Sequence, residues 1–168
     1  MTDETWLPPE QWYASLSTFL ANASAVITDP DGAVLVVKPN YRPAWNLPGG
    51  ILEADEPPHL GCAREVAEEL GLDRQPGRLL VVDWLPPTDI RRAAIGFVFD
   101  GGTLLDKSTI TLQTSELDAF AFLPPAEAIG RLAPFTAARL GAALRVRDGG
   151  QVAYLHNGVP VEPARNSR

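Results

Sequence analysis

The period of the apolar positions changes several times along the chain, and each change predicts an element. Behind Pro8-Pro9, residues Trp12, Leu16, Phe19 and Leu20 recur at helical spacing. They predict a short helix over about residues 9–21, with proline in its first turn. Ala25-Val26-Ile27-Thr28 and Ala33-Val34-Leu35-Val36-Val37 are β-type runs on either side of Asp29-Pro30-Asp31-Gly32, the signature of a hairpin turn. Residues 38–46 read as a loop and Leu47-Pro48-Gly49-Gly50 as a tight segment before a helix. That helix spans Pro58 to Leu70 and stops at Gly71. Leu79 to Leu85 and Ala93 to Phe99 are strands split by Pro86-Pro87. Ile110-Thr111-Leu112 and Ala119 to Leu123 read as short strands. Pro124-Pro125 opens a helical stretch through Leu132, and Phe135 to Val146 forms the last helix. Val152 to Leu155 and Val159 to Val161 flank His156-Asn157-Gly158 as a terminal hairpin, and the tail from Pro163 is expected to be disordered. Strands and helices interleave without a regular βαβ period. This implies an α/β class with a mixed sheet covered by helices.

Composition narrows the choice. The 168 residues suit one domain over 1–168. The short helix forms an N-terminal extension, and the last helix with its hairpin forms a C-terminal one over about 134–162. Fourteen basic against 21 acidic residues leave a net charge of −7, which repels a polyphosphate backbone, so no nucleic-acid polymer is expected. No run of 18 apolar residues implies a membrane span, and the acidic start lacks a signal-peptide pattern, so a cytoplasmic location is expected. Cys62 is the only cysteine, which excludes an internal disulfide; it reads as a small buried residue. Nothing in the pattern decides assembly, and a homodimer stays open.

The chemistry gathers between Gly50 and Leu72. On a helical wheel Glu65, Glu68 and Glu69 lie within about 100° of one another, and Ala63, Val66, Ala67 and Leu70 take the opposite face. Glu65 and Glu69 are like charges at i, i+4, which destabilises a helix by roughly 0.2–0.5 kcal/mol. A hard divalent cation reverses that sign, because Mg²⁺ and Mn²⁺ prefer carboxylate oxygens. A solvated acidic face is the alternative for a bare E-x-x-E-E.

The surrounding spacing decides between them. Gly50, Glu56, Arg64, Glu65, Val66, Glu68, Glu69, Gly71 and Leu72 occupy every fixed position of G-x5-E-x7-R-E-U-x-E-E-x-G-U, where U is apolar. A chance match is roughly 10⁻⁹ per start point at average residue usage. The chain therefore resembles the Nudix hydrolase family, over about Ala23 to Leu132. Trp45-Asn46-Leu47-Pro48-Gly49-Gly50 is similar to the family's W-x-L-P-G-G lead-in. In one departure Asp55 stands where many members carry glycine.

The resemblance implies an α/β/α sandwich and metal-dependent cleavage of a nucleoside diphosphate linked to another group, with Mg²⁺ or Mn²⁺ as cofactor and a small nucleotide as partner. It implies Gly49, Glu65, Glu68 and Glu69 as the metal-ligand set, with Glu68 or Glu65 acting on the attacking water. Arg64 is implied to hold a glutamate by bidentate hydrogen bonds, with Glu56 as its partner. Glu116, in a later loop, is a candidate base or further ligand. Trp45 and Tyr41 are candidates for stacking on a base, and Arg42 for a phosphate contact, together with Lys38, Arg91 and Arg92. His59 and His156 read as surface or turn residues. Pro87, fifteen residues after Leu72, resembles a marker of the ADP-ribose-cleaving subgroup. ADP-ribose or another nucleotide sugar is thus the first substrate class and a nucleoside triphosphate the second. A Nudix-type module that binds nucleotide without cleaving it is the competing reading, although such modules usually lack box glutamates that are all present here.

Overall fold

The computed structural model describes residues 6–162; the expectation for the tail from Pro163 lies outside them. Among the described residues one mixed sheet runs in the order β6 (Leu117–Leu123), β2 (Val34–Pro39), β1 (Leu20–Thr28), β5 (Ala94–Thr103), β4 (Leu79–Leu85), β7 (Ala153–His156), β8 (Val159–Pro160). A short strand β3 (Gly49–Ile51) also pairs with β1. The β1–β5 and β4–β7 pairs are parallel and the others antiparallel. Strand β1 meets β3 at Asn22–Ser24 but β2 at Thr28, so β3 and β2 part company along the same edge.

Alternation along the strands builds two cores. Ala23, Ala25, Ile27, Leu35 and Val37 face Cys62, Val66 and Leu70 of helix α2 (Pro58–Leu70). Val26, Val34, Val36 and Val98 face the other way, against Leu140, Ala142 and Ala143 of helix α4 (Pro134–Val146) and Ala128 of helix α3 (Pro125–Arg131). Burying alternate side chains against opposite helical layers is what produces an α/β/α sandwich.

The predicted turns have direct physical counterparts. Asp29 Oδ1 accepts hydrogen bonds from the N–H groups of Asp31 and Ala33, and Gly32 takes φ +82°. In the terminal hairpin Asn157 and Gly158 sit at φ +54° and +78°, the left-handed pair a two-residue turn requires. Helix α2 starts on Pro58 and ends at Gly71, φ +67°.

Three expectations change. The N-terminal helix α1 covers only Pro9–Ser15 and buries no residue. Leu20, expected as its last apolar position, instead begins β1, its N–H bonded to Ala93 O. Helical spacing without a surface to cover does not hold a helix against the pairing that β5 offers. Residues 110–112 form no strand: the N–H groups of Thr111 and Gln113 bond to Leu70 O and Glu69 O. They satisfy the last carbonyls of α2, so they are not free for a ladder. Finally, Ala67 is exposed while Glu69 is buried, 8% accessible. The face of α2 that meets the sheet is rotated from the one predicted, and one of the three glutamates lies inside.

Candidate active site

Beside β3 and the first half of β1 a cleft of about 450 Å³ opens. Glu65, Glu69 and Glu116 line it together with Gly49, Gly50, Tyr41 and Arg42. Asn22, Ser24, Arg91, Phe135 and Arg139 line it as well. The box helix packs on the far side of the sheet edge, and its carboxylates pass to the cleft across two glycines. At Gly50 an added Cβ would lie 2.5 Å from the Glu65 carboxylate. At Gly49, φ +135°, a Cβ would fall 2.2 Å from Ala23 O, so only glycine allows β3 to approach β1. The N–H of Gly49 donates to Glu69 Oε2 at 2.8 Å.

Arg64 organises the loop before the helix. Its Nε and Nη2 donate to the two oxygens of Glu56 at 2.8 and 3.0 Å. Its Nη1 donates to Glu65 Oε1 and Glu68 Oε2, each at 3.0 Å, and Nη2 also reaches Ile51 O. The fork holds the Glu56 carboxyl down at about 2, and those carboxylates in turn push the guanidinium up. Glu56 Oε2 also accepts from the N–H of Glu53, closing the turn. Asp55 in that turn has φ +61°. A left-handed backbone favours glycine and tolerates aspartate, which accounts for the departure at this position.

The other glutamates are held against their charge. Burial, followed by repulsion from Glu65 and Glu116, pushes Glu69 up to about 8, despite the Gly49 N–H and Arg42. Burial raises Glu65 also, helped by Glu68 and Glu116 and opposed by Arg64. Carboxyls that the fold drives toward the neutral state are those a divalent cation would restore. The donor set fits such a cation in kind: hard oxygens, with Glu65 Oε2 and Glu69 Oε1 accepting no hydrogen bond among the described residues. Among those residues no three acidic, histidine or cysteine side chains stand together as a ready-made cage. The set is a wall of carboxylates rather than a closed site. Burial and the charges of Glu65 and Glu69 raise the Cys62 thiol to about 12, which leaves it an inert core group.

The sequence candidates divide. Tyr41, Arg42, Gly49, Glu65, Glu69 and Glu116 reach the cleft. Glu68 is half-exposed on the outer side of α2, tied to Arg64. Trp45 does not line the cleft; its side chain packs on the α4-side core and its backbone N–H donates to Arg131 O. Lys38 is tied to Pro39 O and Arg42 O, Arg92 to Thr18, and His59 and His156 are exposed. Pro87 is exposed in the β4–β5 loop and does not line the cleft.

A polar cluster escaped the sequence reading. Arg139, 4% accessible, donates from Nε to Asp83 Oδ2 at 2.8 Å and from Nη1 to Asn22 Oδ1 at 3.1 Å. Asp83 is fully buried and accepts a further bond from the N–H of Gly158 at 3.1 Å. The signal was a charge inside each of two apolar stretches, Leu79–Leu85 and the Thr136–Leu140–Ala143 stripe of α4. A charge there is rarely buried unless paired.

A family model described as NUDIX domain matches residues 18–143. A MutT-like protein of Streptomyces ambofaciens is 33% identical over 148 residues, 85% of this chain and 87% of that protein. An ADP-ribose pyrophosphatase of Mycobacterium tuberculosis is 51% identical over 41 residues, 24% of this chain and 20% of that protein. Among solved structures, a MutT protein from Methanosarcina mazei Go1 superposes with a TM-score of 0.67 at 26% identity, over 79% of this chain and 99% of that one.

Proposed function

From its membership of the NUDIX domain family, we propose that the chain is a divalent-metal-dependent pyrophosphohydrolase of small nucleotides, using Mg²⁺ or Mn²⁺. The observation that carries this reading is that Glu65, Glu69 and Glu116 line one cleft, where burial and the neighbouring carboxylates, Glu116 among them, oppose the charges of Glu65 and Glu69. Glu65, Glu69, the Gly49 backbone and, from its outer position, Glu68 would hold the metal. When bound, the metal neutralises phosphoryl charge and lowers the pKa of a coordinated water.

The chain's own groups supply the rest. Arg42 and Arg91 face a dianionic diphosphate from the cleft walls. Glu65 or Glu116 takes the proton of the attacking water, whose oxygen forms a bond to phosphorus as the anhydride P–O bond breaks. Arg64, locked on Glu56, fixes the orientation of Glu65 and Glu68. The substrate class is a nucleoside diphosphate joined to a sugar, the class that includes the ADP-ribose of the M. tuberculosis relative's name, with the base left open. A second class is the nucleoside triphosphates, which offer the same phosphoanhydride to the cleft.

A hydrolysis panel covering both classes tests the proposal. Release of nucleoside monophosphate or phosphate should need Mg²⁺ or Mn²⁺ and stop on chelation. Nucleotide binding without turnover of any member would mark a non-catalytic module, and turnover surviving exhaustive chelation would overturn the metal mechanism.

A further inference from the structure

We propose that Asn22, held by Arg139, is a specificity-determining residue that selects a nucleobase with an exocyclic oxygen, as in hypoxanthine, guanine or uracil, over one with an exocyclic amine. The proposal rests on the reading above, in which the carboxylate end of the cleft takes the diphosphate.

Position comes first. Ser24 pairs with Gly49, the residue bonded to Glu69, while Asn22 pairs with Ile51. Asn22 and Ser24 are alternate residues of one strand and share its face, about 7 Å apart along the strand. That step is comparable to the reach of a ribose between a diphosphate and its base. Both residues line the cleft.

Orientation follows from valence. A guanidinium has five donors and no acceptor, so the amide atom that meets Arg139 Nη1 at 3.1 Å is the oxygen. Nδ2 is therefore the amide atom turned away from Arg139, and its two donors have no partner among the described residues. Arg139 cannot easily release it. Nε is bonded to the fully buried Asp83, whose other oxygen is taken by the Gly158 N–H. The guanidinium lies flat over Gly96, where any Cβ would meet it at 2.3 Å. Its Nη2 is buried with no acceptor among the described residues, so the same corner holds a second unmatched donor.

The surroundings define what could accept those bonds. Asp83 neutralises Arg139, so the corner is no trap for a free anion; the cations left to meet phosphate are Arg42 and Arg91. Leu20, Leu85, Ala94 and Phe135 give this part of the lining its apolar surface, with the Phe135 ring 5.4 Å from Arg139 Cζ. A flat, uncharged heterocycle with an acceptor edge suits such a place. The Asn22 Nδ2 donors can donate to O6 of a purine or O4 of a pyrimidine, whereas an amine in the same position meets them donor to donor. Built polar sites reject strongly on that basis.

The test compares inosine diphosphate with ADP, whose bases differ at ring position 6 and its adjoining nitrogen, by calorimetric titration in Mg²⁺. Wild type should bind inosine diphosphate at least roughly tenfold more tightly. Asn22→Asp keeps one oxygen toward Arg139 and turns an acceptor to the cleft, so the preference should reverse. Asn22→Leu should weaken both ligands and erase the preference; melting curves establish that each variant is folded. A wild-type preference for ADP, no preference, or a ratio unchanged in Asn22→Asp overturns the proposal. Hydrolysis of ADP-ribose and its inosine analogue is followed in parallel. Cleavage without base preference removes the subsite and leaves the catalytic reading standing. The expected binding ratios without any cleavage do the reverse, and binding of neither nucleotide overturns both.

Discussion

At the scale of single residues, Glu69 carries the largest consequence. Its carboxyl stands at about 8 in the fold against an ordinary 4.5, because burial disfavours the charged form. Across that window the folded chain keeps a proton that the unfolded chain releases. The stability this contributes is complete below 4.5 and is lost as pH rises through about 8. The slope reaches about 1.4 kcal/mol per pH unit at most. Metal-free protein should therefore melt at a lower temperature at pH 8.5 than at pH 5. In Glu69→Gln, neutral at both, the difference should shrink; thermal melts in chelator decide, and equal slopes would count against the burial of this charge. The same variant should lose metal-dependent activity by orders of magnitude. Gly50→Ala probes the passage beside it. A Cβ there collides with the Glu65 carboxylate, so kcat/KM should fall by roughly tenfold or more while the fold persists. A wild-type rate would show that Glu65 can act from another position.

Among the elements, two junctions set the shape of the cleft. The first joins the loop before α2 to the helix through the Arg64–Glu56 fork. Arg64→Lys keeps the charge but loses the planar fork, and kcat should drop by roughly tenfold with little change in KM. Steady-state kinetics on the best substrate read this directly. The second joins β1, β4 and α4 through Asn22, Asp83 and Arg139. Asp83→Ala strands a buried guanidinium and should cost about 3–5 kcal/mol in urea unfolding. The double change Asp83→Leu with Arg139→Leu should cost much less, because no lone charge remains inside. If the single and double variants were equally destabilised, packing rather than charge would be the cause. The first junction was legible in the sequence, since Arg64 and Glu56 stand at fixed motif positions. The second was not, because residues 22, 83 and 139 meet only after the sheet has paired.

On the scale of the whole molecule, the acidic balance and the cleft have to be taken together. A net charge of −7 opposes a polyphosphate ligand, while three glutamates on the cleft wall oppose one another. A divalent cation relieves both, so Mg²⁺ or Mn²⁺ should raise the melting temperature in proportion to the logarithm of its concentration above Kd. Glu69→Gln should blunt that rise, and a melting temperature indifferent to metal would remove the carboxylate wall as its site.

Features that depend on local chemistry are legible in the residues alone. Pro58 and Gly71 bound the box helix, Asp29 with Gly32 and Asn157 with Gly158 turn the hairpins, and the unbroken apolar runs of β1 and β2 require cover on both faces. The nine motif positions were enough to point to the family and its acidic chemistry. Which surfaces found a partner was settled when the chain folded. Leu20 left its helical spacing for β1 because β5 offered its backbone a ladder. Residues 110–112 left the sheet because α2 had carbonyls to satisfy. Glu69 was drawn inside by the Gly49 N–H, and Trp45, exposed by no local rule, was taken up by the core instead of the cleft. Each outcome depends on groups far apart in the chain, and burial energy is settled only when they meet.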